Sequence, residues 1–297
     1  MEIAERESLL NAISVATIIH EIPTSYSDPL ICEAIIKAVK KLGAKPFVCE
    51  ANMRAHQMHD KMLQRREYDE MLRRNNTKFV NLSMVEPIKF KCIGLDVPLL
   101  LSSVLFKPNV KIISFAPPKD HWECGVTLTQ KNMYGAIWER KKSIFHRKYD
   151  RIDKAVAAAA RLMSPDICIL GCQEIGIGLG PHFLRTRPFN RLIMAQDMIR
   201  ADKLGSEILG YPYSLVKYAM INAQGNDLNY TLHPDSAEIN KDTLDELHEN
   251  VLDPKDVSFW KPALYLQYFV PHNFQYFVFP HFELIFTEIN RLFFSNK

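Results

Sequence analysis

The stretch RIDKAVAAAARLMSPDICILG, residues 151–171, contains the two kinds of element on which the predicted fold depends. Residues 151–163 are rich in alanine, the strongest helix former, and Pro165 ends this helix because proline cannot continue one. Residues 166–171, DICILG, are a continuous apolar run, which is typical of a strand inside a parallel sheet. A helix that leads into such a strand is half of an α/β unit.

The same alternation of helices and strands extends in both directions along the chain. The stretch Ser27-Asp28-Pro29 supplies a cap and a first-turn proline for a helix that Gly43 ends. Asp197 caps a later helix that ends at Gly210. A further helix is predicted near 97–105, and strands are predicted at 46–50, 78–83, 110–115, 166–171 and 191–195. The predicted fold class is α/β, with one mainly parallel sheet flanked by helices.

An aromatic-rich segment sets the C-terminal part of the chain apart. Residues 236–256 are acidic and polar, and aromatic residues crowd the segment from Phe259 to Phe294. We predict an α/β domain over residues 1–235, as one body or as two lobes around a cleft, and a C-terminal extension over 236–297. The extension is expected to pack on the body or on a partner subunit. A membrane-surface contact and the lining of a ligand cleft are the alternatives.

Composition restricts the classes of partner. The net charge of +3 is too small to indicate nucleic acid by itself, and no nucleic-acid-binding motif is present. No apolar run approaches the roughly 20 residues that a membrane-spanning helix needs. The six cysteines are scattered without a CxxC pair, and no secretory signal is evident. We therefore expect a cytoplasmic protein with reduced thiols.

The candidate site lies in residues 117–146, which show neither helical nor strand periodicity. Pro117 and Pro118 predict an extended exit from a strand, and ligands in open α/β sheets bind outside the carboxyl ends of strands. Lysine neutralises anions, and histidine transfers protons near neutral pH. We predict three catalytic residues, His121, Lys131 and His146, and three ligand-binding residues, Lys119, Asn132 and Gly135.

Two further features are candidates for ligand binding. The segment GIGLGP, residues 176–181, has neither dinucleotide-binding nor P-loop spacing. It reads equally as a tight turn or as an anion-binding loop that includes Gly178 and Gly180. Asp197 is either a helix cap alone or also a ligand-binding carboxylate.

Five short motifs occur in an order and at a spacing that resemble a known family. They are KDH, GVTLTQKNMYG, a single histidine, GLGP and QDMIRADKLGSEILGYP. Over about residues 24–215, the chain resembles the family catalogued as domain of unknown function 362. The motif positions fall on Lys119, His121, Thr127, Lys131, Asn132, Gly135, His146, Gly178, Gly180, Pro181, Asp197, Asp202 and Gly210.

Departures from this family affect the expected chemistry. An acidic residue usually ends the strand before the glycine segment, where this chain has Gly171, so the resemblance leaves open whether activity is retained. Many relatives carry ferredoxin-type cysteine motifs, which this chain lacks, so no iron–sulfur cofactor is implied. Whether a metal is bound is left open.

A fainter similarity links the order His121, Lys131, His146 to lactate racemases with a nickel-pincer cofactor. In those enzymes, the lysine holds the cofactor covalently and the histidines act as acid/base groups or as nickel ligands. The similarity implies a racemase-like enzyme with a metal cofactor as a minor alternative.

Together these features favour an enzyme that acts on a small anionic metabolite through its lysines and histidines. One alternative is a non-catalytic module that binds an anion or a cofactor. Another is an interaction protein that forms a homo-oligomer through the aromatic segment. The substrate and the reaction are not predictable from these residues.

Overall fold

The computed structural model of the chain describes residues 9–10, 27–52, 63, 67–139, 142–146, 148, 150–180, 183–248 and 262. Pro181 and, apart from Pro262, the aromatic segment lie outside the described residues. Packing of the aromatic segment on the body or on a partner subunit therefore stays a prediction.

Strands and helices alternate along most of the described chain. The strands are β1 Leu9–Leu10, β2 Phe47–Glu50, β3 Lys78–Asn81, β4 Pro87–Phe90, β5 Leu99–Ser102, β6 Ile113–Ala116, β7 Lys119–His121, β8 Gly125–Thr127, β9 Ile167–Leu179 and β10 Phe183–Ala195. The helices are α1 Pro29–Lys41, α2 Tyr68–Arg74, α3 Thr129–Gly135, α4 Arg151–Met163, α5 Met198–Ile208, α6 Lys217–Ala223 and α7 Lys241–His248. Short 3₁₀ turns occupy Leu82–Met84, Ser103–Phe106, Lys142–Phe145 and Tyr213–Leu215.

The strongest local signals produce the helices that they predict. Asp28 caps α1 by accepting a hydrogen bond from the backbone N–H of Leu30 at 2.6 Å, and Pro29 is the first helical residue. Gly43 follows α1 with a φ of 81°, a conformation that glycine adopts without a steric penalty. The alanine-rich helix α4 and the Asp197-capped helix α5 are likewise confirmed.

The largest sheet has six strands in the order β1-β6-β9-β7-β8, with β10 paired to β9. Strands β6 and β7 both run parallel to β9, and Pro117 and Pro118 separate them. The break is bridged by one hydrogen bond, from the N–H of Gly176 to the carbonyl oxygen of Pro118 at 3.1 Å. Because β7 continues along β9 beyond the prolines, Lys119 comes to lie opposite Gly176.

The prediction that one sheet contains the strands at 46–50, 78–83, 110–115 and 166–171 is wrong. Strand β2 pairs in parallel with β3 in a sheet of its own, and β4 pairs with β5 in a third sheet. The segment 97–105 forms β5 and a 3₁₀ turn instead of a helix, because a short apolar run fits either kind of element. Residues 176–179 and 191–195 belong to a long antiparallel hairpin, β9–β10, and not to a turn and a separate short strand.

Helices cover both faces of the main sheet, as the predicted fold class requires. Ile169 on β9 packs with the apolar residues of α1 and α2, whereas the next residue, Leu170, packs with those of α4 and α5. Helix α5 approaches β9 closely because Gly205 faces Leu170 without a side chain between them. The α/β class with parallel strands and flanking helices is confirmed. Among the described residues, no helix is long and apolar enough to cross a membrane.

Candidate active site

Strand β7 places Lys119 in the interior of the protein. The residue is only 4% exposed, and it lies between Thr127 on β8 and Gly176 on β9. Burial, together with the neighbouring charge of Lys131, lowers the pKa of Lys119 to about 7. Lys119 is therefore a mixture of ammonium and neutral amine near neutral pH.

Two further lysines reach the same region from other elements. Lys131 projects from α3 and lies half-buried, with its Nζ 5.8 Å from the centre of the Tyr134 ring. Lys142, in the 3₁₀ turn, is buried and donates a hydrogen bond to the carbonyl oxygen of Gly135 at 2.6 Å. Burial lowers the pKa of Lys142 to about 7; Glu50 and Glu139 raise that pKa, and Lys131 lowers it further. Lys131 is thus close enough to both buried lysines to oppose their charges.

Asp120, between Lys119 and His121, is a buried acid with one open oxygen. Its Oδ2 accepts a hydrogen bond from the N–H of Gly178 at 2.8 Å, whereas its Oδ1 has no hydrogen-bond partner. Burial raises the pKa of Asp120 to about 7, although the Gly178 bond lowers it. A carboxyl group with this pKa can either donate or accept a proton at neutral pH.

The glycine segment supports Asp120 directly. A Cβ at Gly180 would lie 2.1 Å from the Asp120 carbonyl oxygen, so only glycine fits there. The carbonyl oxygen of Gly180 also accepts a hydrogen bond from the N–H of Trp122 at 2.9 Å. Gly178 and Gly180 therefore hold β7 against β9, and whether they also contact a ligand stays a prediction.

His121 is oriented by the backbone that follows it. Its Nδ1 accepts hydrogen bonds from the N–H groups of Glu123 and Cys124, both at 3.2 Å. Since Nδ1 acts as an acceptor, the proton of a neutral His121 is on Nε2. The adjacent Trp122 stacks on the ring at a centroid distance of 6.3 Å.

His146 has both ring nitrogens engaged. Its Nδ1 lies 2.5 Å from Oε2 of Glu123, and its Nε2 lies 3.2 Å from the hydroxyl of Tyr134. That hydroxyl donates its own proton to the carbonyl oxygen of Lys142, so it accepts from His146. This geometry lets both nitrogens act as donors, which is the hydrogen-bond pattern of an imidazolium paired with Glu123. His146 and Lys131 meet at the ring of Tyr134.

Asp153, which the sequence analysis did not single out, is a second buried acid near these lysines. It lies in the first turn of α4, is 5% exposed, and its Oδ1 has no hydrogen-bond partner. Burial raises the pKa of Asp153 to about 6, whereas Lys217 and Lys131 lower it. A lone acid on the apolar face of an alanine-rich helix is the sequence signal that identifies it.

Two of the predicted ligand-binding residues take part in the scaffold. The amide of Asn132 donates to Oγ of Ser114 at 3.2 Å and to the carbonyl oxygen of Phe115 at 3.3 Å, which holds α3 on β6. The carbonyl oxygen of Gly135 accepts the Lys142 bond. These contacts position Lys131 and Lys142, and a direct ligand contact stays a prediction for both residues.

Asp197 lies at the start of α5 and caps it. Its Oδ1 accepts hydrogen bonds from the N–H groups of Ile199 and Arg200, and its Oδ2 pairs with the Arg200 guanidinium at 2.7 Å. It borders a groove of about 560 Å³ between the end of β10 and residues 227–233. A ligand contact of Asp197 stays a prediction.

No metal centre is evident in the part of the chain that the structure describes. There, no group of three or more His, Cys, Asp or Glu side chains is arranged to hold a metal ion. Lysines and carboxyl groups dominate the region around Lys131, and ammonium groups do not ligate metals.

The fold and the geometry describe an α/β protein in which lysines from a strand, a helix and a 3₁₀ turn lie near one another, with the buried Asp153 near Lys131. The chain belongs to the family described as Domain of unknown function (DUF362), whose match covers residues 16–207, more than half of the chain. The family predicted from the short motifs is thereby confirmed.

Comparisons with individual proteins add little about activity. No protein with a curated description matches the chain. Among solved structures, the chain is similar to the lactate racemase apoprotein from Thermoanaerobacterium thermosaccharolyticum, with a TM-score of 0.46 and 12% sequence identity. The similarity covers 68% of this chain and 48% of that protein, so the chain spans about half its length. A similarity of this size assigns no activity.

Proposed function

We propose that this protein is an enzyme that binds a small anionic metabolite beside Lys119, Lys131 and Lys142 and moves a proton on it. The observation that carries the proposal is the gathering of these three lysines from three separate elements, two of them buried. Like charges close together in a low-dielectric region repel one another; Glu50 and Glu139 offset part of the charge of Lys142, and a bound anion would offset more. A carboxylate or phosphate is the ligand that this arrangement stabilises best.

Asp120 and His121 are the proposed proton-transfer groups. Asp120 has an open Oδ1 and a pKa near 7, which suits a general acid or base. His121 has its Nδ1 fixed by two backbone N–H groups, which leaves Nε2 as the nitrogen that carries the proton. Lys131 binds the anion, and His146 positions Lys131 through Tyr134.

Titration calorimetry with succinate and with inorganic phosphate tests the anion site. Lys131→Met is expected to weaken binding at least tenfold while leaving the midpoint of thermal unfolding nearly unchanged, because Lys131 is half-buried and forms no ion pair with the residues that the structure describes. Lys107→Met, at an exposed lysine outside the site, is the matched control and should bind like the wild type. Unchanged binding by Lys131→Met would contradict the proposal.

A non-catalytic anion-binding module is the second candidate. It is favoured by the hydrogen bonds that both ring nitrogens of His146 make with protein groups. With both nitrogens occupied, His146 cannot exchange a proton with a ligand without breaking its pair with Glu123. Proton NMR in D₂O with a panel of small carboxylic acids separates the two candidates. An enzyme exchanges a carbon-bound proton of its substrate for deuterium and Asp120→Asn abolishes this exchange, whereas a binding module only broadens the ligand signals.

Homo-oligomer formation through the aromatic segment is a separate part of the proposal. It is motivated by the crowding of aromatic residues between Phe259 and Phe294, which would form a large apolar patch if exposed. Light scattering on the full chain measures its mass in solution, and a monomer at all concentrations would contradict this part alone.

A further inference from the structure

Thr127, the last residue of β8, keeps a hydroxyl group in the protein interior without a hydrogen-bond partner. The residue is 5% exposed, and its Oγ1 makes no hydrogen bond with the residues that the structure describes. A buried polar atom without a partner costs roughly 1–3 kcal/mol, so folded proteins keep few of them. Valine, which is also branched at Cβ, has nearly the same shape and would avoid this cost, so packing alone does not explain the hydroxyl.

The pairing of β7 with β8 places this hydroxyl next to Lys119. The two strands are antiparallel, and Lys119 lies directly opposite Thr127. Residues directly opposite each other in such a pair project on the same face of the sheet, with their Cβ atoms about 4.5–5.5 Å apart. Both residues are buried, so the side chain that carries the ammonium group and the side chain that carries the hydroxyl group enter the interior side by side.

On its other side, Lys119 has a neighbour without a side chain. The strand register sets Lys119 opposite Gly176 of β9, so one row across three strands consists of Thr127, Lys119 and Gly176. A larger residue at position 176 would project beside Lys119, on the face that Lys119 shares with Thr127. The row therefore presents one ammonium group and one hydroxyl group, and its third member adds no side chain.

A second hydroxyl without a partner shows what is particular to Thr127. Ser102, the last residue of β5, is also buried, and its Oγ makes no hydrogen bond with the described residues. The strand register places Pro87 opposite Ser102, and proline offers neither a charge nor a hydrogen-bond donor. Of these two hydroxyls, only that of Thr127 has a lysine directly opposite it in the sheet.

We propose that Thr127 donates a hydrogen bond to the same anion that Lys119 binds. The inference rests on the proposed anion site and adds an uncharged donor to it. A carboxylate or a phosphate has several acceptor oxygens, so one oxygen can face the ammonium group while another accepts the hydroxyl proton. The bound anion would give the hydroxyl its missing partner. It would also favour the charged form of Lys119, whose pKa is lowered to about 7 by burial and by Lys131.

Titration calorimetry at pH 7 with succinate and with inorganic phosphate tests this inference in Thr127→Val. We expect binding of either anion to weaken about tenfold or more, because the variant keeps the shape of the side chain and loses a donor to a charged group. Its midpoint of thermal unfolding should equal or exceed that of the wild type, since the hydroxyl has no partner among the described residues. Thr127→Ser keeps the hydroxyl and should bind within about twofold of the wild type.

Ser102→Ala is the matched control, because it also removes a buried hydroxyl without a partner, and it should bind like the wild type. Unchanged binding by Thr127→Val would overturn the role of Thr127 and leave the anion site standing. A lower unfolding midpoint in Thr127→Val, or equally weak binding by Thr127→Ser, would show that the residue is structural and would overturn that role as well. If the wild type bound neither succinate nor phosphate, both proposals would fall.

Discussion

Asp202 belongs to helix α5 but caps helix α3: its Oδ1 accepts a hydrogen bond from the N–H of Thr129 at 2.7 Å. The same carboxylate accepts from the Thr129 hydroxyl and from the N–H of Gln130. The residue is fully buried, and burial raises the pKa of its carboxyl group to about 7. The contact fixes the start of the helix that carries Lys131, so Asp202 is a positioning residue for the site.

Asp202→Asn is therefore expected to lower the free energy of unfolding by about 1–3 kcal/mol, because one carboxamide oxygen cannot replace a carboxylate that accepts three hydrogen bonds. Asp197→Asn is the control, since asparagine caps helices as well as aspartate does and should cost less than about 0.5 kcal/mol. Urea unfolding measures both. Equal losses would argue against the capping role of Asp202.

Stability should depend on pH through Lys119 and Lys142. Both pKa values are lowered to about 7 in the folded protein, so between pH 7 and 10 the unfolded chain binds more protons than the folded one. The free energy of unfolding then rises with pH, by up to about 1.4 kcal/mol per pH unit for each lysine. Urea unfolding between pH 7 and 8.5 should show a smaller slope in Lys119→Met than in the wild type.

Lys107→Met is the control for this slope, because its lysine is exposed and should leave the slope unchanged. Comparing variants at the same pH removes the contributions of all other titrating groups. The same slope in Lys119→Met and in the wild type would mean that Lys119 keeps its charge in the folded protein.

Replacing Gly180 with alanine should disrupt the close contact between β7 and β9. The added Cβ would meet a backbone oxygen of Asp120, which cannot move aside without shifting β7, so we expect a loss of about 2 kcal/mol or more. Gly43→Ala is the comparison, because its Cβ would meet open space and only the φ of 81° is unfavourable, at about 1 kcal/mol. Thermal unfolding compares the two variants. A smaller loss of stability in Gly180→Ala than in Gly43→Ala would contradict the tight contact between β7 and β9.

The protonation states of the two site histidines differ in a way that ¹⁵N NMR can measure. At pH 7, His146 should show two protonated nitrogens because of Glu123 and Tyr134, whereas His121 should show a bare Nδ1. Glu123→Gln should convert His146 to a neutral ring, since the imidazolium loses its carboxylate. The exposed His233 provides a reference signal. A neutral His146 in the wild type would contradict the assigned network.

The sequence predicts the elements of this fold better than their pairing. Asp28, Pro29 and Gly43 mark the ends of α1 because caps and turn residues act locally. The separation of β2 and β3 from the main sheet could not be predicted, since strand pairing depends on contacts far apart along the chain.

For the site, the sequence indicated Lys119, Lys131 and the histidines but not the acids beside them. Asp120 stands between Lys119 and His121, and Asp153 is followed by Lys154, so the sequence does not distinguish either from a solvated acid; their burial with an unpartnered oxygen is seen only in the structure. Lys142 follows Arg140 and Lys141 in a basic run, and only the structure shows that it is buried.

The Asp202 contact also bears on how the protein is made. Residues 129 and 202 are 73 positions apart, and the strand that holds β6 and β7 together, β9, lies between them in the chain. While a ribosome synthesises the chain from its N-terminus, Lys119 and Lys131 emerge well before the strand and the cap that fix them. A nascent chain that stops short of α5 should therefore expose its apolar surfaces to chaperones, and the proposed anion site should form only after α5 has left the exit tunnel.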